Sequence, residues 1–507
     1  MPIPQILIAG AGPTGLMLAL QLARRGVPLR IVDKARGPGE ASRALIVHAR
    51  TLEFYRQLGL ADAVLGASHV VEKVRARKNG KSFVEIKLGD IGREISPYPF
   101  VVAFPQDEHE RFLVAELSKL GCTVDWNTEL VALSQDAQGV QAQLKRNGAT
   151  ETTDYSYVVG ADGAHSIVRH ELKLEFAGGA YAQLFYVADV DATGADTNDM
   201  LMNLDHDGFA LMMPVRTSGM YRLVGLVPDD LVARTNLTFA DFQTRAEAML
   251  HVTVKTVNWF STYHVHHRVA SQFQVGRCFL AGDAGHIHSP AGGQGLNTGI
   301  GDAVNLGWKL AQVLAGRAPA ALLATYEPER IAFARKLVAS TDTAFSWMVG
   351  QSTASEVFRQ WIVPNVMPAL TELALVRREM FKTVSQTGIA YRDSALSSGA
   401  AGSVHGGDRL PWVKWPAGDN FASLASLDWQ LHVYGSLRSA MTVAARALDL
   451  PAFEFAWTGP AERAGLQKDA AYLVRPDGHV ALALPDQDTA QLQSFIVGLG
   501  LTFARAA

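Results

Sequence analysis

One short segment limits what this chain can fold into more than any other. It is Gly10-Ala-Gly12-Pro-Thr-Gly15, set between an apolar run at 4–9 and a helix-patterned stretch that ends at Gly26. The apolar run has the character of a strand buried on both faces. Leu16, Leu20 and Ala23 share one stripe of the helix that starts near Pro13, and residues 29–32 form a second apolar run, so the chain opens as a strand-helix-strand unit. In such a unit Gly10 permits the tight turn, Gly12 lets backbone amides approach a pyrophosphate, and Gly15 lets the helix pack on the strand. Pro13 and Thr14 begin the helix, whose first N–H groups point at the phosphates. Asp33 closes the second strand 18 residues after Gly15, where a carboxylate takes a ribose hydroxyl pair. Lys34 beside it is counted with the site. A lone glycine pattern is a weak signal. With strand, helix and acid at the expected spacing it marks a dinucleotide site, without saying which dinucleotide.

At 507 residues the chain is too long for a single core, and about three domains are expected. Lys and Arg total 46 against 49 Asp and Glu, a net charge of -3 with no block of like charge, so nothing points to a nucleic-acid partner. Cys122 and Cys278 are the two cysteines, which fits a reducing cytoplasm and argues against a disulfide framework. The apolar stretch 6–23 is broken by Gly10, Gly12, Pro13 and Gly15, and no basic residues precede it. It is a strand-turn-helix rather than a signal or membrane segment, so the expectation is a cytoplasmic protein with no membrane partner.

Beyond the opening unit, a short apolar run at 44–47 leads into an amphipathic helix through Leu58. Between about 173 and 268 the texture changes to alternating apolar and polar residues, as at 184–190, 209–215 and 221–227, which predicts a mostly antiparallel sheet. The buried-strand pattern returns at 278–281, then a glycine-rich loop and a helix to about Leu314, with helical periodicity to about Val384. Small residues at 397–403 predict a linker. Strand-like segments follow at 429–433, 472–474 and 479–484, the last two joined by the hairpin signal Asp477-Gly478. The expected division is 1–172 and 271–396 as two parts of one α/β dinucleotide domain, 173–270 as an inserted substrate-binding sheet, and 404–507 as a small C-terminal domain.

Two further glycine segments carry chemistry. Gly160-Ala-Asp162-Gly163-Ala-His165-Ser166 ends the apolar strand at 157–159. Gly282-Asp283-Ala-Gly285-His286-Ile-His288-Ser-Pro290-Ala-Gly292-Gly293-Gln294-Gly295-Leu296-Asn297 joins a buried strand to a helix with the stripe Ile300, Val304 and Trp308. Its glycines allow backbone to approach a planar ligand. The helix start at 295–297 offers positive potential for a reduced, negatively charged ring.

The three segments, in this order, resemble those of the single-component flavoprotein aromatic hydroxylases, the p-hydroxybenzoate hydroxylase and phenol hydroxylase superfamily. The resemblance covers nearly the whole chain. It implies an α/β fold: a Rossmann-like FAD-binding domain, an inserted antiparallel substrate sheet and a C-terminal thioredoxin-like domain. That last domain matches at Gly407-Asp-Arg409-Leu-Pro411 and Val474-Arg-Pro-Asp-Gly478, lacks any Cys-x-x-Cys pair, and in relatives often contributes to homodimer contacts. By the same resemblance Asp162 and Gly163 touch FAD and serve NADPH or NADH use, and Gly282 and Asp283 hold the ribityl chain. Arg43 and Gln106 contact FAD, and Leu130 meets the adenine through its backbone. Pro290, Gly293 and Gly295 shape the flavin loop, and the amides of Leu296 and Asn297 bind the isoalloxazine. His264, His266 and His267 lack carboxylate or thiol partners at metal-ligand spacing, and the family needs no metal. His286 and His288 are expected to pack beside or orient the flavin.

The implied activity is an NAD(P)H- and O2-dependent monooxygenase that hydroxylates a phenolic or polyphenolic ring through a flavin C4a-hydroperoxide. The cofactor carries the hard chemistry, and the protein excludes water. Phe185, Phe209, Met212 and Tyr221, on the inserted sheet, are the substrate candidates. No side chain is assigned as a catalytic acid or base. Some relatives place an Asp or His where this chain has Leu45, and the nearby His48 falls on the opposite face of an extended segment. A substrate that ionises unaided is therefore expected. Two alternatives remain: a halogenase-like flavoprotein, whose Trp-x-Trp-x-Ile-Pro signature Trp412-Val-Lys-Trp415-Pro416 does not match, and a non-catalytic flavin-binding scaffold.

Overall fold

The computed structural model describes residues 5–39, 44–78, 80–194, 199–205, 208–215, 219–289, 291–350, 352, 355, 357–366 and 373–503. Its centre is a six-stranded sheet in the order Gln274–Val275, Cys278–Leu280, Tyr157–Gly160, Ile6–Ala9, Leu29–Val32, Val124–Asp125. All neighbours are parallel except the first pair. Ile6, Leu7 and Ile8, like Cys278, Phe279 and Leu280, are fully buried, as expected of parallel strands covered on both faces. The strand order reverses direction between Ile6–Ala9 and Tyr157–Gly160. The crevice outside the carboxyl ends of strands at such a switch point is where α/β sheets bind ligands.

Helix Pro13–Ala23 lies against the 21-residue helix Gln294–Leu314. The second helix is buried nearly all round: Asp302, Asn305, Lys309 and Gln312 are as hidden as Ile300, Val304 and Trp308. Close approach is possible because Gly307 faces Gln21 and Leu18 where a side chain would collide.

A second sheet has eight strands and is wider than the interval 173–270, which supplies five of them. Its backbone is the antiparallel pair Phe176–Thr193 and Thr253–Ala270. The hairpin Lys73–Lys78 and Lys81–Lys87 completes one edge by parallel pairing with Met200–Asp205, and His286–Ile287 completes the other. The sequence boundary at 173 is thus crossed by hydrogen bonding, because a strand joins whichever edge is open irrespective of its place in the chain. One face packs on the helix Gln243–Leu250 and the turn Phe239–Asp241. The other face turns towards Leu45, Ile46, Val101 and Ala103.

The C-terminal unit contains the sheet order Val404–His405, Ser398–Ala401, Val480–Leu484, Ala471–Val474, Gln430–Tyr434, Ala452–Phe455. Helix Ser439–Ala447 connects the parallel pair Gln430–Tyr434 and Ala452–Phe455, while the neighbours on the other side are antiparallel. Residues 397–403, expected as a linker, instead hold the strand Ser398–Ala401, paired in parallel with Val480–Leu484. The small side chains there serve close packing: a Cβ on Gly399 would run into the Ala483 carbonyl oxygen.

The hairpin tip 475–479 is driven into the dinucleotide domain. Arg475, Asp477 and His479 are each at most 2% exposed. Arg475 binds Glu329 at 2.7 and 2.9 Å and Asp477 at 2.6 Å. Nearby, Arg409 and Arg50 enclose Glu53. Burying ions is costly unless each is paired and hydrogen-bonded, and here the partners come from both sides of the junction.

Candidate functional site

Strand, turn and helix bring the first glycine segment to the switch point. Gly10 donates to the Val32 carbonyl at 2.8 Å, and the Ala161 amide to the Ala9 carbonyl at 2.7 Å. A Cβ on Gly15 would run into the Gly10 carbonyl oxygen, whereas one on Gly12 would meet nothing within 4 Å. The loop is therefore close-packed beneath and open above, the shape of a cradle. The Asp33 carboxylate accepts from the Ala11 amide at 2.7 Å and the Ala35 amide at 2.8 Å. Lys34 is exposed next to it. The strand Thr128–Gln135 begins beside this acid, with the Thr128 amide on the Asp33 carbonyl at 2.9 Å, which brings Leu130 into the same corner. Thr14, in the first turn of Pro13–Ala23, packs where Gly282 and Gly299 lack side chains, so the first and third glycine segments touch.

Asp162 follows the neighbouring strand end. Its Oδ2 accepts from the Ile167 amide at 2.7 Å, and its Oδ1 is buried with no partner among the described residues. Burial raises its pKa against the hydrogen bonds that lower it. Gly163 takes φ +76° to turn the chain. Arg169, which the sequence did not single out, donates to the carbonyls of Ala164 and Ala284, both at 2.7 Å, and so ties the second segment to the third.

In the third segment Asp283 is exposed while Gly282, Ala284 and Gly285 are buried. Gly293, at φ +64°, precedes helix Gln294–Leu314 and lies against Ile46. Gly295, Leu296 and Asn297 lie in the first turn, where the amides of Gly295 and Leu296 have no intrahelical acceptors. The Asn297 side chain is an anchor: it donates to the Ile46 and Gly293 carbonyls and accepts from the His48 amide and the Thr51 hydroxyl, all at 2.8–2.9 Å. His48 Nε2 reaches the Gly292 carbonyl at 2.7 Å, and burial pushes its pKa down to about 4. His286 and His288 stack with centroids 5.8 Å apart. Burial, then the neighbouring His286, takes His288 to about 4 as well. Both His48 and His288 are thus neutral at pH 7.

Gln106 accepts from the Ala44 amide at 3.3 Å and donates to Glu110. Arg43 and Pro290 lie outside the described residues. The four substrate candidates divide. Phe185 and Phe209 share a cluster with Tyr263 and Val265, on the face that also presents Leu211 and Met213. Met212 and Tyr221 lie on the opposite face, in the core with Tyr186, Phe239 and Phe242; the period-two alternation of strand Gly208–Pro214 puts Met212 there and its neighbour Met213 in front. Met213 joins Leu45, Ile46, Val71, Val101 and Ala103. His264, His266 and His267 lie on one long strand, and among the described residues no three His, Cys, Asp or Glu side chains gather as a metal site. Among them also, no helix is long and apolar enough to cross a membrane.

An open glycine cradle, a buried carboxylate oxygen with no partner among the described residues and a helix start half-buried at Gly295 and Leu296, all at one switch point, fit FAD. Residues 4–341 match the family model described as FAD binding domain. The chain is 38% identical over 424 residues to 6-methylpretetramide 4-monooxygenase of Streptomyces rimosus, covering 80% of this chain and 73% of that protein. It is 31% identical to pentachlorophenol 4-monooxygenase of Sphingobium chlorophenolicum, covering 80% and 75%. Among solved structures, the flavin-dependent monooxygenase PieE in complex with FAD and substrate superposes with a TM-score of 0.81 at 25% identity, covering 98% of this chain and 99% of that one.

Proposed function

The chain belongs to the FAD-binding-domain family of flavoprotein aromatic monooxygenases, and on that premise we propose that its substrate is a fused-ring polyphenol whose hydroxyl ionises without help from the protein. It is an FAD-dependent enzyme that uses NAD(P)H and O2. When bound, FAD supplies hydride acceptance and the activation of O2 for transfer of one oxygen atom to an aromatic carbon.

The residues of this chain position and protect that chemistry. The Gly10–Gly15 turn and the first turn of Pro13–Ala23 would hold the pyrophosphate, Asp33 a ribose, and Leu130 the adenine. Asp283 would hold the ribityl chain, and the amides of Leu296 and Asn297 the ring, with Asp162 and Gly163 alongside. Positive potential at the start of Gln294–Leu314 favours negative charge on the ring. Leu211 and Met213, packed with Leu45, Val101 and Ala103, and Phe185 and Phe209 on the same face of the sheet would keep water out.

The observation that carries the substrate reading is that apolar wall. Leu45 is 5% exposed amid Val71, Val101, Ala103 and Met213, none of which can take a proton from a phenol. Electrophilic attack on the ring needs a phenolate, so the substrate must bring its own acidity. Fused-ring polyphenols do so through internal hydrogen bonds, and the relative that acts on 6-methylpretetramide supports this class. The test is NAD(P)H consumption and peroxide release with fused-ring polyphenols beside single-ring phenols. Fast oxidation with little peroxide for the fused-ring set is expected; coupling with simple, weakly acidic phenols alone would contradict it.

The C-terminal unit is proposed as thioredoxin-like. The support is its strand-helix-strand-helix-strand-strand-helix order over 430–498 with the sheet order described above. It is proposed also as a self-association surface, supported by Val443 and Val497, exposed on helices Ser439–Ala447 and Thr489–Gly498. Sedimentation of wild type against Val443→Glu tests the second point: a dimer that becomes monomeric supports it, and an unchanged state refutes it.

A further inference from the structure

Behind the flavin loop lies a buried chain of ionic and aromatic contacts that the dinucleotide motifs do not require. Asp302, fully buried, accepts from the Gly282 amide at 2.9 Å, His286 Nε2 at 2.6 Å and Arg330 Nε at 2.6 Å. It therefore fixes the backbone immediately before Asp283 and the ring that stacks on His288. Arg330 reaches onward with its other two nitrogens, to the Thr298 carbonyl at 3.0 Å in helix Gln294–Leu314 and to the Tyr391 hydroxyl at 2.9 Å. Tyr391 in turn sits against the C-terminal hairpin. Its ring is 4.5 Å from that of His479, Arg475 lies 5.4 Å from its centroid, and its amide binds the Gly407 carbonyl at 2.8 Å.

We propose that the C-terminal hairpin tip 475–479 sets the position of the flavin-contacting loop 282–288 through Tyr391, Arg330 and Asp302, so that tight FAD binding in this chain depends on its C-terminal unit. The inference rests on the assignment of Gly282, Asp283 and the helix start to flavin contact. The physical reason is that Arg330 stays charged when buried, so its orientation is dictated by whichever acceptors remain. With Tyr391 held by the hairpin, the guanidinium is aimed at Asp302 and Thr298, and Asp302 in turn holds the Gly282 amide. Without the hydroxyl the guanidinium is left with an unmet donor, which favours reorientation. Asp302, Arg330 and Tyr391 are positioning residues; none is placed against the flavin.

The experiment is a double-mutant cycle read on FAD affinity, by fluorescence titration of apoprotein, and on hydrogen exchange of the 282–288 amides. Tyr391→Phe, which deletes one oxygen atom and keeps the ring, is expected to weaken FAD binding about fivefold and to speed exchange in 282–288. His479→Ala is expected to act in the same direction. In an Asp302→Asn background, Tyr391→Phe is expected to add little, because its effect passes through Asp302. Leu466→Ala, a cavity in the C-terminal core outside the tip 475–479, should lower the melting temperature and leave FAD affinity alone. FAD affinity within twofold of wild type in both Tyr391→Phe and His479→Ala, or strictly additive losses in the cycle, would overturn the proposal. Wild-type protein that takes up no FAD would instead sink the functional assignment itself.

Discussion

Replacing Glu329 with glutamine removes one unit of charge from the junction between the FAD domain and the C-terminal unit while keeping the shape of the side chain. Five donors converge on this carboxylate: both Arg475 Nη atoms, Lys309 Nζ, Asn305 Nδ2 and the Ser394 hydroxyl, at 2.6–2.9 Å. Burial alone would raise its pKa, but Arg475 and Lys309 hold it well below the usual carboxylate range. Breaking a buried pair by removing one partner costs about 3–5 kcal/mol, because the other charge is left uncompensated. Two features argue for the lower end. Arg475 keeps Asp477 at 2.6 Å, and Lys309, already pushed by burial to about 8 with Glu329 beside it, can shed its proton once Glu329 is neutral. A loss of about 3 kcal/mol at pH 7 is therefore expected. Urea unfolding reports it through the Trp308–Trp429 pair, whose rings meet edge to face at 5.6 Å across this junction. A loss below about 0.5 kcal/mol, the range of an ordinary surface substitution, would refute the view that these ions hold the two units together.

Gly15→Ala drives a Cβ into the Gly10 carbonyl; a cost of about 2 kcal/mol or more and protein purified with less FAD are expected, and full flavin content would argue against the cradle. Asn297→Ala leaves the His48 amide, the Thr51 hydroxyl and the Ile46 carbonyl without their partner. It should lower stability by about 2–4 kcal/mol in chemical denaturation and accelerate FAD release. Asp302 has its carboxyl pKa raised by burial but brought down to about 2 by Arg330 and His286, below about 3.9 for the unfolded chain. Its contribution is therefore complete above about pH 4 and lost as pH falls towards 2, amounting to about 2–3 kcal/mol. Asp302→Asn should flatten that acid limb, and an unchanged limb would show that Asp302 is not depressed.

The α/β core was legible because its signals are local. Strand Leu29–Val32 and helix Gln294–Leu314 fall where periodicity and the glycine turns predict them, and Asp477-Gly478 is a hairpin turn with Gly478 at φ +77°. What escaped the sequence depends on distant partners. Asp302, Asn305 and Lys309 alternate with the apolar stripe of their helix and so resemble a solvated face. They are buried because Arg330, Glu329 and Arg475 meet them there. Nothing in the sequence places strand 73–78 in the eight-stranded sheet, since parallel pairing with Met200–Asp205 leaves no trace in either segment. Met212 and Tyr221 are large apolar residues, and size does not tell which face of a strand a residue occupies; here both lie in the core with Tyr186, Phe239 and Phe242. Leu45 stands out by resemblance, and the structure supplies its apolar neighbours.

The most direct test of the central claim traces the oxygen. The flavin-loaded enzyme is given NAD(P)H, a fused-ring polyphenol and isotopically heavy O2 in ordinary water, and the product is weighed by mass spectrometry. One heavy oxygen atom in the aromatic product is the result predicted for this monooxygenase. NAD(P)H oxidised with peroxide alone, or an oxygen drawn from water, would contradict it.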